Sequence, residues 1–127
     1  MCCRIVHDGV VYKPGDRVPV KSAQKSGAAK WTGFARSETA KATWAHYDVE
    51  LDIPVEKFAE NNRHTGKQTW ATVNDLVSTL FPSLSYVIYA IGNRKTGDMK
   101  ILTREAESQE KAYFGHHRVP VLGWPRF

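Results

Sequence analysis

The chain has 127 residues, 42% of them hydrophobic, so it is the size of one domain (residues 1–127) and can bury a real core, which excludes a wholly disordered polymer. No apolar run approaches the ~18 residues of a membrane-spanning helix, and Arg4, His7 and Asp8 break up the start where a secretion signal would be apolar. The formal net charge of +5 is uneven: residues 1–47 carry eight Lys/Arg against three Asp/Glu, residues 48–62 one against five, and residues 63–127 nine against five. Two basic ends favour an anionic partner, most simply nucleic acid. The expected compartment is the reducing cytoplasm, with no membrane partner.

Along the chain, residues 5–20 read as a β-hairpin start. Val10, Val11, Val18 and Val20 are β-branched, and Lys13-Pro14-Gly15-Asp16 is turn chemistry. Residues 21–30, KSAQKSGAAK, are small, polar and basic, which predicts a flexible surface loop. From Thr43 to Ile53 the pattern alternates with period two, predicting a half-buried strand whose outer face carries Trp44, His46, Asp48, Glu50 and Asp52. Pro54 stops it, and VEKFAEN (55–61) is predicted to form a short helix. Thr69 is a suitable N-cap for a helix over 70–81, with Trp70, Val73, Val77, Leu80 and Phe81 on one stripe and Pro82 ending it.

SYVIYAIG and MKILT then read as two strands joined by Asn93–Asp98, with Gly97 supplying a positive φ. Residues 104–115 suggest a short helix closed by Gly115. HHRVPVLGW returns as a short edge strand, because Pro120 cannot donate to a ladder. Strands dominate and no βαβ alternation occurs. The expected fold class is therefore α+β: a mainly antiparallel sheet with two or three short helices in a single compact domain.

The only cysteines are Cys2 and Cys3. Adjacent Cα atoms sit ~3.8 Å apart, too close for an ordinary disulfide. No C-x-x-C or H-x-x-x-H spacing points to zinc, and no Walker loop, G-x-S-x-G elbow or H-E-x-x-H helix is present, so neither metal nor cofactor is expected. Both thiols read plainly as buried small hydrophobes. Position offers a second reading. Removal of Met1 would give Cys2 a free α-amine beside its thiol, a pair that condenses with an aldehyde into a thiazolidine ring, and the abasic site in DNA is such an aldehyde.

Three short segments extend that second reading. Met1-Cys2-Cys3-Arg4, Phe34-Ala35-Arg36-Ser37-Glu38-Thr39, and Ile101-Leu102-Thr103 followed by His116-His117-Arg118-Val119-Pro120 occur in this order. The arrangement resembles the SOS-response-associated peptidase (SRAP) family, which begins Met-Cys-Gly-Arg and carries Asn-Ala-Arg-x-Glu-Thr and His-x-Arg-x-Pro segments. The resemblance implies that Cys2 forms a covalent adduct with abasic-site DNA, that His116 assists acid–base steps, and that Arg36 and Arg118 hold phosphates. The chain departs from the family at Phe34, where a polar Asn is usual, and at Cys3, where a Gly is usual. The family's Trp-Phe-Glu-Trp-like stretch, with its catalytic Glu, has no evident counterpart.

Other groups admit two readings each. Trp31 and Phe34 lie among Lys25, Lys30, Arg36 and Lys41, a pattern that suits base stacking along single-stranded nucleic acid, or else the two rings cap the core under snorkelling lysines. Glu105-Ala-Glu107 resembles a paired-glutamate motif, but acidic residues are expected where a helix opens. The leading expectation is a small basic nucleic-acid-binding protein, DNA before RNA, with SRAP-like reactivity at Cys2. The rival is a non-catalytic protein–protein interaction module, such as a phage-type inhibitor of a host enzyme, acting through Trp44, Asp48, Glu50 and Asp52.

Overall fold

The computed structural model describes residues 2–24, 26–72 and 87–127. Strand accounts for 53% of it and helix for 10%, so the fold is not α+β but a closed five-stranded β-barrel beside an antiparallel sheet. The strands are β1 (Cys2–His7), β2 (Val10–Tyr12), β3 (Arg17–Lys21), β4 (Ser26–Arg36), β5 (Val49–Pro54), β6 (Lys57–Asn61), β7 (Gln68–Thr72), β8 (Val87–Gly92), β9 (Asp98–Glu105), β10 (Arg118–Pro120) and β11 (Leu122–Gly123). Two short helices are described, α1 (Ala40–Thr43) and α2 (Ser108–Phe114). Among the described residues no helix is long and apolar enough to cross a membrane.

The barrel runs β9-β4-β3-β5-β8 and closes by β8 pairing with β9. Every neighbour is antiparallel except β4 and β9, which run parallel. Beyond their shared ends β8 and β9 diverge, and residues 118–123 fill the gap. β10 pairs with β9, β11 pairs with β8, and Val121 bridges both, donating to Leu102 O and accepting from Tyr89 N, each at 2.9 Å. The second sheet, β2-β1-β6-β7, packs on the barrel. Ile5, Phe58 and Ala71 from the sheet share one core with Trp31, Ile53, Ile88, Met99 and Ile101 from the barrel. Phe114 on α2 completes it, stacked 5.7 Å from Phe58.

Several sequence expectations hold. β8 and β9 form the predicted hairpin, with Gly97 at φ 75° in its loop. α2 ends on Gly115 at φ 64°, and Pro120 sits in a short strand at the end of the strand order. Others are overturned. Residues 21–30 are strand at both ends, β4 starting at Ser26 and pairing with β3 from Lys21↔Ser26 to Arg17↔Lys30, which leaves a bend at 22–24. Lys13–Asp16 does turn, but it joins strands of different sheets, and the tight turn between β1 and β2 is Asp8-Gly9, both at positive φ.

The predicted strand over 43–53 keeps only Val49 onward. Ala40–Thr43 is helical, and Trp44 meets Tyr47 edge-on at 5.5 Å, the i,i+3 contact of a helical turn. Residues 57–61 are strand, not helix: Glu, Lys and Ala favour a helix locally, but pairing with β1 and β7 on both sides overrides that preference. Of the helix predicted over 70–81, residues 70–72 belong to β7, and 73–81 lie outside the described residues.

One polar lock ties the far end of the chain to the barrel. Asp52, only 1% exposed, accepts from Arg126 Nε at 2.7 Å and from Arg126 N at 2.6 Å, while that guanidinium lies 4.0 Å from the Tyr89 ring centre. Arg126→Ala would leave a buried carboxylate with its backbone donor alone, so a loss of ~2–4 kcal/mol is expected, read as a lower urea midpoint.

Candidate functional site

Residues from three distant stretches meet around Arg118. This side chain is 7% exposed, and its guanidinium makes four hydrogen bonds: Nε to Thr103 Oγ1 at 3.0 Å, Nη2 to Thr103 O at 2.6 Å, and a fork onto Glu38 at 2.9 and 3.0 Å. The fork suits a planar guanidinium facing a carboxylate. It also holds Glu38 well below the usual carboxylate range, at about 2. Thr103 reaches Arg118 because β9 alternates, with Met99, Ile101 and Thr103 all pointing inward.

Above this strut lies a cavity of about 460 Å³ lined by Phe34, Arg36, Arg63, His116 and His117 together with Arg118. A second, of about 630 Å³, shares Arg63, His116 and His117 and continues over Asn62, His64 and Lys111. His116 and His117 stack with ring centres 4.8 Å apart and planes 11° apart. The backbone N–H of Arg118 donates to His116 Nδ1 at 3.1 Å, and Arg63 Nη1 donates to His117 Nδ1 at 2.7 Å. Since a guanidinium can only donate, each neutral ring keeps its proton on Nε2. Partial burial, reinforced by nearby positive charge including Arg63, lowers His116 to about 4, so it is uncharged at neutral pH.

Glu60 is the residue that sequence reasoning missed. Placed in a predicted helix and in the acidic 48–60 stretch, it was given no catalytic role. As part of β6 it is 0% exposed, shares a sheet face with Phe58, and is the register partner of Cys2. Burial raises its carboxyl to about 7. A folded-state value above the unfolded one makes Glu60 contribute stability that is fully present below pH 4.5 and lost as the pH rises through 7. Glu60→Gln should therefore gain on the wild type by up to about 3 kcal/mol between those limits, measured as unfolding midpoints against pH.

The other sequence-derived residues scatter. Trp31 is fully buried in the barrel, edge-on to Phe34 at 5.8 Å, so it offers no base a stacking surface. Arg36 is exposed on the rim of the smaller cavity, whereas Lys30 stands six residues back along β4, about 20 Å away. Lys41 is exposed on α1, and Lys25 lies outside the described residues. Arg118, with four of its five N–H groups already engaged, serves as a strut and not as an open phosphate ligand.

The proposed acidic face also breaks up. Asp52 is buried, Glu50 lies 3.3 Å from Arg126, Asp48 is exposed, and the half-buried Trp44 has Lys100 Nζ 5.0 Å from its ring. Glu105 and Glu107 flank the start of α2, where Glu107 N donates to the Glu110 carboxylate, itself gripped by Arg104 at 2.7 Å. No family model matches the chain, and no curated protein or solved structure does either.

Proposed function

We propose that this protein binds nucleic acid, DNA in preference to RNA, in the cytoplasm, and that Cys2 reacts with the aldehyde of an abasic site in the manner of the SRAP family. The observation that carries the reading is convergence. The Phe34–Thr39, Ile101–Thr103 and His116–Pro120 segments, picked out by resemblance, are joined by Arg118 through Glu38 and Thr103, residues 80 and 15 positions away. The strand of Cys2 lies against Glu60, which supplies the buried carboxyl that the sequence comparison lacked.

The chemistry needs Met1 removed. The Cys2 α-amine adds to C1′ of the opened sugar, giving a carbinolamine whose hydroxyl leaves as water to form an imine. The thiolate then adds to the imine carbon, closing a thiazolidine. Overall one C–N and one C–S bond form, and the aldehyde oxygen departs as water with one amine hydrogen and the thiol hydrogen. A carboxyl at about 7 is divided between its acid and base forms at neutral pH, so Glu60 can both protonate the leaving hydroxyl and take up a proton. His116, neutral with its proton on Nε2, donates a hydrogen bond to developing negative charge on oxygen.

The test is incubation with single-stranded DNA carrying one abasic site, followed by a denaturing gel, beside the same strand with a normal base. A slow-migrating adduct with the abasic strand alone is expected. No adduct from protein whose intact mass lacks Met1 overturns the reading.

A further inference from the structure

We propose that Arg63, oriented by His117, is a phosphate clamp for the strand flanking the reactive sugar. The inference rests on the nucleic-acid reading above and adds a residue to it that no sequence feature marked.

Arg63, Arg104, Arg118 and Arg126 each have a described side-chain partner, and those partners are of two kinds. Arg104, Arg118 and Arg126 are each neutralised by carboxylates, from Glu110, Glu38, and Asp52 with Glu50. Arg63 is not: among the described residues its guanidinium is held by a neutral imidazole nitrogen, His117 Nδ1, and by no carboxylate within ion-pair distance. An uncharged acceptor fixes the guanidinium without cancelling its charge, leaving a full positive charge and its remaining N–H groups for an anion. The group lines both cavities, as do His116 and His117.

The position is also pre-ordered. Asn62 Oδ1 accepts from His64 N at 2.8 Å and from Thr65 N at 3.1 Å, and Asn62 N donates to Lys67 O at 2.9 Å, closing the β6–β7 tip on itself. Arg63 N donates to Gly115 O at 3.0 Å, pinning the tip to the turn after α2. A Cβ at Gly115 would collide with the Asn62 side chain, so the close approach itself requires glycine there, beyond its φ of 64°. A guanidinium fixed in this way gives up little conformational freedom when a phosphate arrives. The larger cavity, about 630 Å³, is within the range that admits a nucleotide-sized group, and Arg36, also without a carboxylate partner among the described residues, lines the smaller one.

The experiment is equilibrium binding of an unmodified single-stranded DNA oligomer by the full chain across 50–300 mM salt, using wild type, Arg63→Ala, Arg63→Lys and His117→Ala. Arg63→Ala should bind about tenfold more weakly at the low-salt end, and its log–log salt slope should shrink by about 0.7, one single-strand phosphate contact. Arg63→Lys should keep the slope but not the full affinity, because an ammonium cannot reproduce the fork. His117→Ala should weaken binding with the slope unchanged, the mark of a residue that positions the charge. Arg63 is exposed, so unchanged thermal melts are expected for its variants. If the wild type binds and Arg63→Ala matches it in affinity and slope, the clamp is wrong while the nucleic-acid reading survives. If the wild type fails to bind, both fall together.

Discussion

Cys2→Ala should remove stable adduct formation with abasic-site DNA, lowering the yield on a denaturing gel by more than ~100-fold. The substitution separates two bonds that form in sequence. After Met1 removal the variant still carries an α-amine, so an imine with the sugar aldehyde still forms and can be captured by borohydride reduction. It has no sulfur to close the ring, so without reductant the imine hydrolyses and the band disappears. Borohydride-dependent crosslinking in Cys2→Ala, with borohydride-independent crosslinking in the wild type, is the expected pair of results. Equal yields from both proteins without reductant would exclude the thiol as a partner in the bond. Glu60→Gln tests the assisting carboxyl: it should slow adduct formation at neutral pH without weakening binding to an unmodified strand, because the amide preserves shape and burial but transfers no proton.

A stability effect as large as that at Arg126 is expected at Arg118. Arg118→Ala removes donors from Thr103, whose side chain is 1% exposed, and opens a void where a nearly buried guanidinium stood. Glu38 has a half-exposed side chain, 52%, and can return to water, so the loss is smaller than for a fully buried pair. A drop of ~2–4 kcal/mol in unfolding free energy is expected, read from urea titration with the denaturant slope unchanged. Arg118→Lys should recover only part of it, because one ammonium cannot reach both Glu38 oxygens and the Thr103 carbonyl together. The Glu38 carboxyl gives the pH signature. Its folded-state value of about 2 lies below the unfolded one near 4.5, so its contribution is present above pH 4.5 and fades as the pH falls toward 2. Arg118→Ala should lose that acid-side slope.

What could be read from the sequence was local. The β8–β9 hairpin and the end of α2 are written in neighbouring residues: apolar runs on both sides of a loop containing Gly97, and a left-handed Gly115 after a run of helix formers. The 57–61 strand was not legible, because Lys57, Ala59 and Glu60 have helical preferences and become a strand only through β1, more than fifty residues earlier in the chain. Mistaking that segment hid Glu60, whose burial depends on alternating faces and not on helical ones. The strand from Ser26 onward was missed for the same reason, since its small residues gain a partner in β3 that composition does not announce.

Within the site, Arg36 and His116 were found by motif and do share a cavity. The contact between Arg63 and His117 was invisible, because it spans 54 residues and joins two loops. Of the two readings open for Trp31, base stacking falls and the core reading stands, because the alternation of β4 turns its ring into the barrel.

The run from Arg118 to Gly123 both fills the seam between β8 and β9 and carries the residue on which the converging segments meet. Without that run β8 and β9 would pair only over Ala90–Gly92 and Met99–Ile101, and the pocket would lack Arg118. Assembly of this pocket is thereby tied to the last strand additions of the barrel, so a ligand that settled there would also favour the seam-closed state.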